Sequence, residues 1–201
     1  MPTARFPLAV FVVLVAATFL SGPFASAAED GSPLDESLLS GLQWRGIGPA
    51  FMSGRIADIV VDPTDRATWY VAVGSGGVWK TTNAGTTWQP IFDGQTSYSI
   101  GCLALDPQNP QTVWVGTGEN VSGRHVGYGD GVYRSRDGGG TWQKLGLELS
   151  EHIGMIRVHP DDPNTVFVAA QGPLWSAGGE RGLYVTRDGG ETWDRLNGKG
   201  R

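Results

Sequence analysis

Three observations predict an all-β chain folded as four-stranded antiparallel blades of a β-propeller. A four-strand unit recurs three times in tandem, each copy closes on the same glycine-rich turn, and a tryptophan follows every such turn. Repeated short strands with periodic aromatic and glycine signals belong to sheets set around an axis rather than to a single sandwich. The composition agrees. Of 201 residues, 40% are hydrophobic and 17% charged, a balance that supports a packed core. The 31 glycines have no collagen-like period and accompany eight tryptophans, as expected for many tight turns between strands.

The first strands fall at 56–63, 100–107 and 153–160. Each is a short, mostly apolar run that an Asp-Pro or His-Pro step stops, which predicts a strand buried on both faces and then a turn. His159 is accordingly a turn residue. The second position is always small (Ala57, Gly101, Gly154), which lets neighbouring backbones approach closely. Second strands at 68–73, 112–117 and 165–170 are rich in β-branched and aromatic residues. Third strands follow at 77–81, 131–135 and 182–186, and a short fourth strand starts at Trp88, Trp142 or Trp193.

The turn between third and fourth strands is the most specific motif. Its copies occupy 81–88, 135–142 and 186–193, with tryptophans 54 and 51 residues apart. Asn83, Asp137 or Asp188 supplies an oxygen that accepts hydrogen bonds from the turn's own N–H groups. Glycine at the tip permits positive φ, and the tryptophan returns into the apolar layer between sheets. These octets resemble the Asp boxes of the BNR-repeat propellers, a superfamily that includes sialidases, xyloglucanases and sortilin-like receptors. The resemblance covers residues 42–201. It implies that Asn83, Trp88, Asp137, Trp142, Asp188 and Trp193 build the fold, remote from any ligand site.

Residues 1–27 read as a signal peptide. Arg5 is the only charge there, the stretch 6–20 is almost wholly apolar, and Ala25-Ser26-Ala27 offers the small residues of a cleavage site. That run is short for a bilayer span of about 20 residues. The mature chain is therefore expected to be secreted or periplasmic and without a membrane span. Residues 28–41 read as a linker and 42–201 as a partial propeller: a ring-closing strand at 42–48, then blades at 54–93, 98–147 and 151–197. Trp44-Arg45-Gly46-Ile47 matches the fourth strands that begin at Trp88, Trp142 and Trp193. Nothing before Trp44 supplies three further strands, so this strand is expected to complete a last blade. Propellers hold 4–8 blades, which makes the chain the N-terminal part of a larger ring, with C-terminal blades of the same chain as its first partner.

The formal net charge is −5, and loss of Arg5 with the leader leaves 14 basic against 20 acidic residues. No basic run is present, so nucleic acid is not an expected partner. Cys102 is the sole cysteine, which rules out an internal disulfide and suits a small buried hydrophobe.

In a four-strand meander, the boxes share one face with the turns between first and second strands. Residues that break the repeat map to the opposite face. Arg55, Ser99 and His152 hold equivalent positions at the mouths of the first strands and are expected to face the central channel. The longest insertion, 118–130, carries Glu119, Arg124, His125, Tyr128 and Asp130, and the loop 171–181 carries Trp175. Rings beside charged groups suit a sugar face or a peptide side chain. His125, Asp130 and His152 have no metal-ligand spacing, so no metal or cofactor is expected. Asn120-Val121-Ser122 is a formal glycosylation sequon, meaningful only in a eukaryotic secretory route.

Two functional classes remain. Glycoside hydrolysis needs two carboxylates about 5–9.5 Å apart; the loop face offers Glu119, Asp130, Glu151 and Glu180 without specifying a pair. The stretch 44–56 resembles secreted bacterial proteins of sortilin-like or glycosyl-hydrolase-like type. In the xyloglucanases that this chain resembles, a catalytic Asp precedes the Gly-Gly opening the third strand, and that position here is Gly74. The Arg-Ile-Pro opening of sialidases is replaced by Arg55-Ile56-Ala57. The reading is a ligand-binding scaffold of sortilin-like type for a glycan, peptide or protein; the alternative is a xyloglucanase-like hydrolase.

Overall fold

The computed structural model describes residues 55–121, 123 and 125–196. The leader, the linker, the strand expected at 42–48, Ser122, Arg124 and the end of the third blade lie outside the described residues. Among the described residues twelve strands form three sheets, each a simple antiparallel meander. Blade 1 holds β1 (Ile56–Val61), β2 (Trp69–Val73), β3 (Gly77–Thr81) and β4 (Gln89–Pro90). Blade 2 holds β5 (Ile100–Leu105), β6 (Val113–Thr117), β7 (Val132–Ser135) and β8 (Gln143–Lys144). Blade 3 holds β9 (Ile153–His159), β10 (Asp162–Ala170), β11 (Gly182–Thr186) and β12 (Asp194–Arg195). One 3₁₀ turn, Glu148–Ser150, joins the last two blades and was not foreseen in the pattern.

The small second position of each first strand has a specific use. In all three blades the register between first and second strands shifts at that residue, at Ala57, Gly101 and Gly154. A β-bulge there bends the strand. At Gly101 a Cβ would run into the carbonyls of Ile153 and Gly118, so the bulge brings the backbones of blades 2 and 3 into direct contact.

Period-2 alternation sorts side chains between two apolar layers. Val113 and Val115 of β6 face blade 1, with Tyr70, Ala72 and Val78; Trp114 faces blade 3, with Val166, Val168 and Tyr184. Phe92 seals the first layer edge-to-face against Tyr133 at 5.1 Å and Trp142 at 5.0 Å. Each fully buried side chain of this kind contributes about 1.5–3 kcal/mol. Cys102 lies buried in the second layer, and burial pushes its thiol up to about 12, leaving it protonated and inert at neutral pH.

Burial on both faces holds for β5 but not for β1 or β9. Ile56, Ile59 and Val61 of β1, and Met155 of β9, are exposed. Blade 2 is flanked on both sides, whereas the described residues place no sheet on the outer faces of blades 1 and 3.

The Asp boxes repeat atom for atom. Asp137 Oδ1 accepts Ser135 Oγ at 2.7 Å and Thr141 N at 2.8 Å; Asp188 Oδ1 accepts Thr186 Oγ1 at 2.6 Å and Thr192 N at 2.9 Å. Asn83 Oδ1 makes the same two contacts, to Thr81 Oγ1 and Thr87 N, both at 2.9 Å. Only the outer bond differs: Thr141 and Thr192 donate to a carboxylate oxygen, while the Asn83 amide donates to Thr87 Oγ1. Each tip also ties to the first turn of its own blade, through Ala84 N to Ala67 O, Gly138 N to Gln111 O and Gly189 N to Asn164 O.

A cation spans each seam. Lys80 lies over the Tyr70 ring and donates to Gly138 O at 2.9 Å; Arg134 lies over the Trp114 ring and donates to Gly189 O. Stacked this way, each cation adds about 0.5–2 kcal/mol while holding the next blade's box. The equivalent residue in blade 3 is Val185.

These bonds make the fold acid-sensitive in a defined window. Hydrogen bonds from Ser135 and then Thr141 hold Asp137 at about 2, below its ordinary 3.8, and bonds from Thr186 and Thr192 depress Asp188 further. A depressed carboxylate stabilises the fold above its unfolded value and loses that contribution as pH falls toward the folded one. Urea midpoints are therefore expected to drop between about pH 4 and pH 2, and the drop should shrink in an Asp137→Asn, Asp188→Asn double variant. Equal slopes in the two proteins would contradict the assignment.

Candidate functional site

The face opposite the boxes is built on three equivalent backbone bonds: Gly74 N to Arg55 O at 2.8 Å, Gly118 N to Ser99 O at 2.7 Å, and Gln171 N to His152 O at 2.8 Å. They place Arg55, Ser99 and His152 at matching positions, but the side chains do not all face an open channel. Ser99 and His152 are fully buried. Each reaches a carbonyl of the preceding blade's loop: Ser99 Oγ donates to Gly74 O at 3.0 Å, and His152 Nδ1 sits 2.9 Å from Glu119 O. A carbonyl only accepts, so Nδ1 carries the proton. His152 thus locks two blades together rather than presenting itself to a ligand.

Glu119 is also buried. Its carboxylate pairs with Arg55 and accepts Ser75 Oγ at 2.8 Å. The side chain lies against Gly74, where a Cβ would come within 3.2 Å of Oε1. Gly74 is small because the neighbouring blade's carboxylate fills the space beside it. Arg55, Gly74, Glu119 and Asn120 border a pocket of about 290 Å³.

Asp130 serves as an internal hub rather than an open ligand contact. It accepts Thr96 Oγ1, Tyr133 Oη at 2.7 Å and Lys144 Nζ at 3.1 Å. Burial pulls its carboxyl upward, but bonds from Thr96, Tyr133 and Lys144 outweigh this and hold it below its ordinary value. His125 is exposed, so it shares no site with the buried His152, and Arg124 lies outside the described residues. Among the described residues no three His, Cys, Asp or Glu side chains cluster as metal ligands.

A cleft of about 400 Å³ opens between blades 2 and 3, lined by Tyr128, Gly129, Glu151, Pro173, Trp175 and Ser176. Tyr128 is 59% and Trp175 64% exposed. The Tyr128 ring rests 5.6 Å from that of His152, and Gly129 N donates to Glu151 O at 2.7 Å. Across the cleft, Glu180 Oε2 accepts Leu149 N at 2.9 Å, and Arg181 clasps the carbonyl of Pro173. Both aromatic loops are therefore clipped to the segment 147–152. Glu151 sits there in the left-handed region at φ 63, a conformation that side chains other than glycine adopt at a cost of about 1 kcal/mol or more. Pro173, Ser75 and Ser176 carried no sequence signal, since each lies in a loop whose spacing says nothing about its neighbours.

Blades, boxes and a loop face opposite them make this an Asp-box β-propeller protein. The BNR/Asp-box repeat family model matches residues 133–144 and 184–195, the two copies whose box carries Asp rather than Asn. The chain is similar to the xyloglucanase Xgh74A of Acetivibrio thermocellus, at 26% identity over 96% of this chain and 23% of that enzyme. Among solved structures it is similar to the GH74 enzyme of Niastella koreensis, with 26% identity, a TM-score of 0.51, and coverage of 68% of this chain and 20% of that one. An ancestral GH74 enzyme gives a TM-score of 0.56 at 23% identity, over 71% of this chain and 18% of that one. The protein is a β-propeller related to glycoside hydrolases, and it spans less than a quarter of the length of these three relatives. Among the described residues no helix is long and apolar enough to cross a membrane.

Proposed function

We propose that the protein is exported and binds a glycan chain on its loop face, in the cleft between Tyr128 and Trp175. The observation that carries this reading is the pair of well-exposed rings flanking that cleft. Pyranose rings present apolar faces that pack on aromatic side chains, while a lone carboxylate such as Glu151 accepts from their hydroxyls. The similarity to xyloglucanases supports a polysaccharide rather than a peptide as the ligand. Binding is favoured over cleavage because three of the four loop-face carboxylates are already engaged: Glu119 by Arg55, Asp130 by Lys144, and Glu180 by Leu149 N.

One observation favours a second reading, a glycoside hydrolase: the Glu119 carboxylate lies beside Gly74, the position at which the chain resembles enzymes bearing an acid. Titration with xyloglucan oligosaccharides and a reducing-sugar assay separate the two. Tyr128→Ala and Trp175→Ala are each expected to weaken binding about tenfold, the equivalent of ~1.4 kcal/mol. Unchanged affinity in both variants would sink the binding site. Sugar release that disappears in Glu119→Gln would establish the hydrolase.

A further inference from the structure

Three described residues other than glycine hold a left-handed backbone: Ala84 at φ 53, Leu147 at φ 57 and Glu151 at φ 63. That conformation is costly for any residue with a Cβ. Two of the three have a structural reason. Ala84 stands at the tip of the first box, where the other copies carry Gly138 at φ 68 and Gly189 at φ 71. Leu147 is 3% exposed and packs in the second apolar layer. Glu151 has neither reason. Its backbone is fixed from outside, since the Glu151 carbonyl accepts Gly129 N at 2.7 Å and fills the space beside Gly118. A glycine would meet those demands without strain, so the side chain calls for a separate explanation.

Its position supplies one. Of the residues that line the cleft with Tyr128 and Trp175, only Glu151 carries a charge. Among the described residues its carboxylate makes no hydrogen bond or ion pair. The charged residues of the adjoining loop are committed elsewhere: Arg181 to the carbonyls of Pro173 and Ser176, and Glu180 to Leu149 N. The cleft therefore presents one unneutralised negative charge beside two exposed rings, whose faces are themselves electron-rich.

We infer that Glu151 is the specificity-determining residue of this cleft: it rejects sugars that bear a carboxylate and admits those that bear an ammonium or only hydroxyls. The inference rests on the reading that the cleft binds a glycan. A like charge about 4 Å away in a water-filled cleft lowers affinity roughly fivefold, an opposite charge raises it as much, and displacement of water enlarges both effects. Neutral sugars donate hydroxyls to the carboxylate. An ammonium gains in addition from the ring faces of Tyr128 and Trp175.

Three oligomers of equal length and cellulose-type linkage test this on the whole chain: oligoglucosamine, cello-oligosaccharide and oligoglucuronate, titrated in mildly acidic buffer where the amines are charged. The unmodified protein is expected to bind them in that order, the first more than about tenfold tighter than the last. Glu151→Gln should bring those two within about threefold of each other. Glu191→Gln, which removes the same charge from the third box, should leave the order unchanged. Stability supplies a second readout. Glu151→Gly relieves strain while raising the freedom of the unfolded chain, so its urea midpoint should not fall, although the ranking by charge collapses as in Glu151→Gln. A lower midpoint would assign the side chain to the fold and overturn the inference. So would a ranking that survives Glu151→Gln while Tyr128→Ala and Trp175→Ala weaken all three oligomers, in which case the glycan cleft still stands. Binding of none of the three rejects both.

Discussion

Gly118→Ala is expected to destabilise the protein by about 2–5 kcal/mol. Gly118 sits at φ 83, where a residue with a Cβ costs roughly 1–2 kcal/mol. Its Cβ would also overlap the Glu151 carbonyl and lie 2.8 Å from the His152 Cα. These are backbone atoms, so no side-chain rotation relieves the clash, and overpacking of this kind adds about 1–3 kcal/mol. The displaced backbone is the one that ties Gly118 N to Ser99 O and carries Glu119 and the 147–152 segment. Stability and ligand affinity should therefore fall together. Gly94→Ala is the control: nothing lies within 4 Å of its Cβ, and its change should stay within about 0.5 kcal/mol. Similar urea midpoints for the two variants would show that blades 2 and 3 do not meet as closely as described.

Trp114→Ala is expected to cost about 3–5 kcal/mol. The indole is 1% exposed between blades 2 and 3, with the Arg134 guanidinium 5.4 Å above it and the Gly190 tip against its edge. Removal opens a cavity and takes the stacking surface from a buried cation, whose pKa burial and the neighbouring Arg136 already lower. Trp114 Nε1 is buried without a hydrogen-bond partner among the described residues. Trp114→Phe therefore sacrifices no hydrogen bond and should cost less than about 1.5 kcal/mol. If Phe proved as damaging as Ala, the ring's packing would not be its main contribution.

The strands were legible because they depend on local signals. Proline-stopped apolar runs, β-branched second strands and the octets each concern a few neighbouring residues, and the observed bounds differ from the expected ones by a residue or two in most strands. β10 is the exception. It begins at Asp162, because Asp162 pairs directly with His159 and turns the expected loop into a tight hairpin. The box chemistry was equally local, down to the substitution of Asn83 for Asp. The small second position announced close backbone approach, though not that the approach would take the form of a bulge.

The candidate site was legible only as a face. Placing the long loops opposite the boxes required nothing beyond strand alternation. Deciding which of their residues meet solvent required distances between loops of different blades. Asp130 and His125 lie five residues apart in one insertion, yet one is a half-buried hub and the other is exposed. His152 matches Arg55 by position, but it packs beneath Tyr128 while Arg55 reaches across to Glu119.

The sequence by itself determined the repeat, its strands and the face on which boxes stand, since hydrogen bonding within a turn and alternation along a strand are settled by adjacent residues. Tertiary structure alone decided that Glu119, Asp130 and His152 turn inward and that Tyr128 and Trp175 line one cleft. Those outcomes depend on how blades distant in the sequence pack. A buried carboxylate or imidazole must find its partner across the seam between blades.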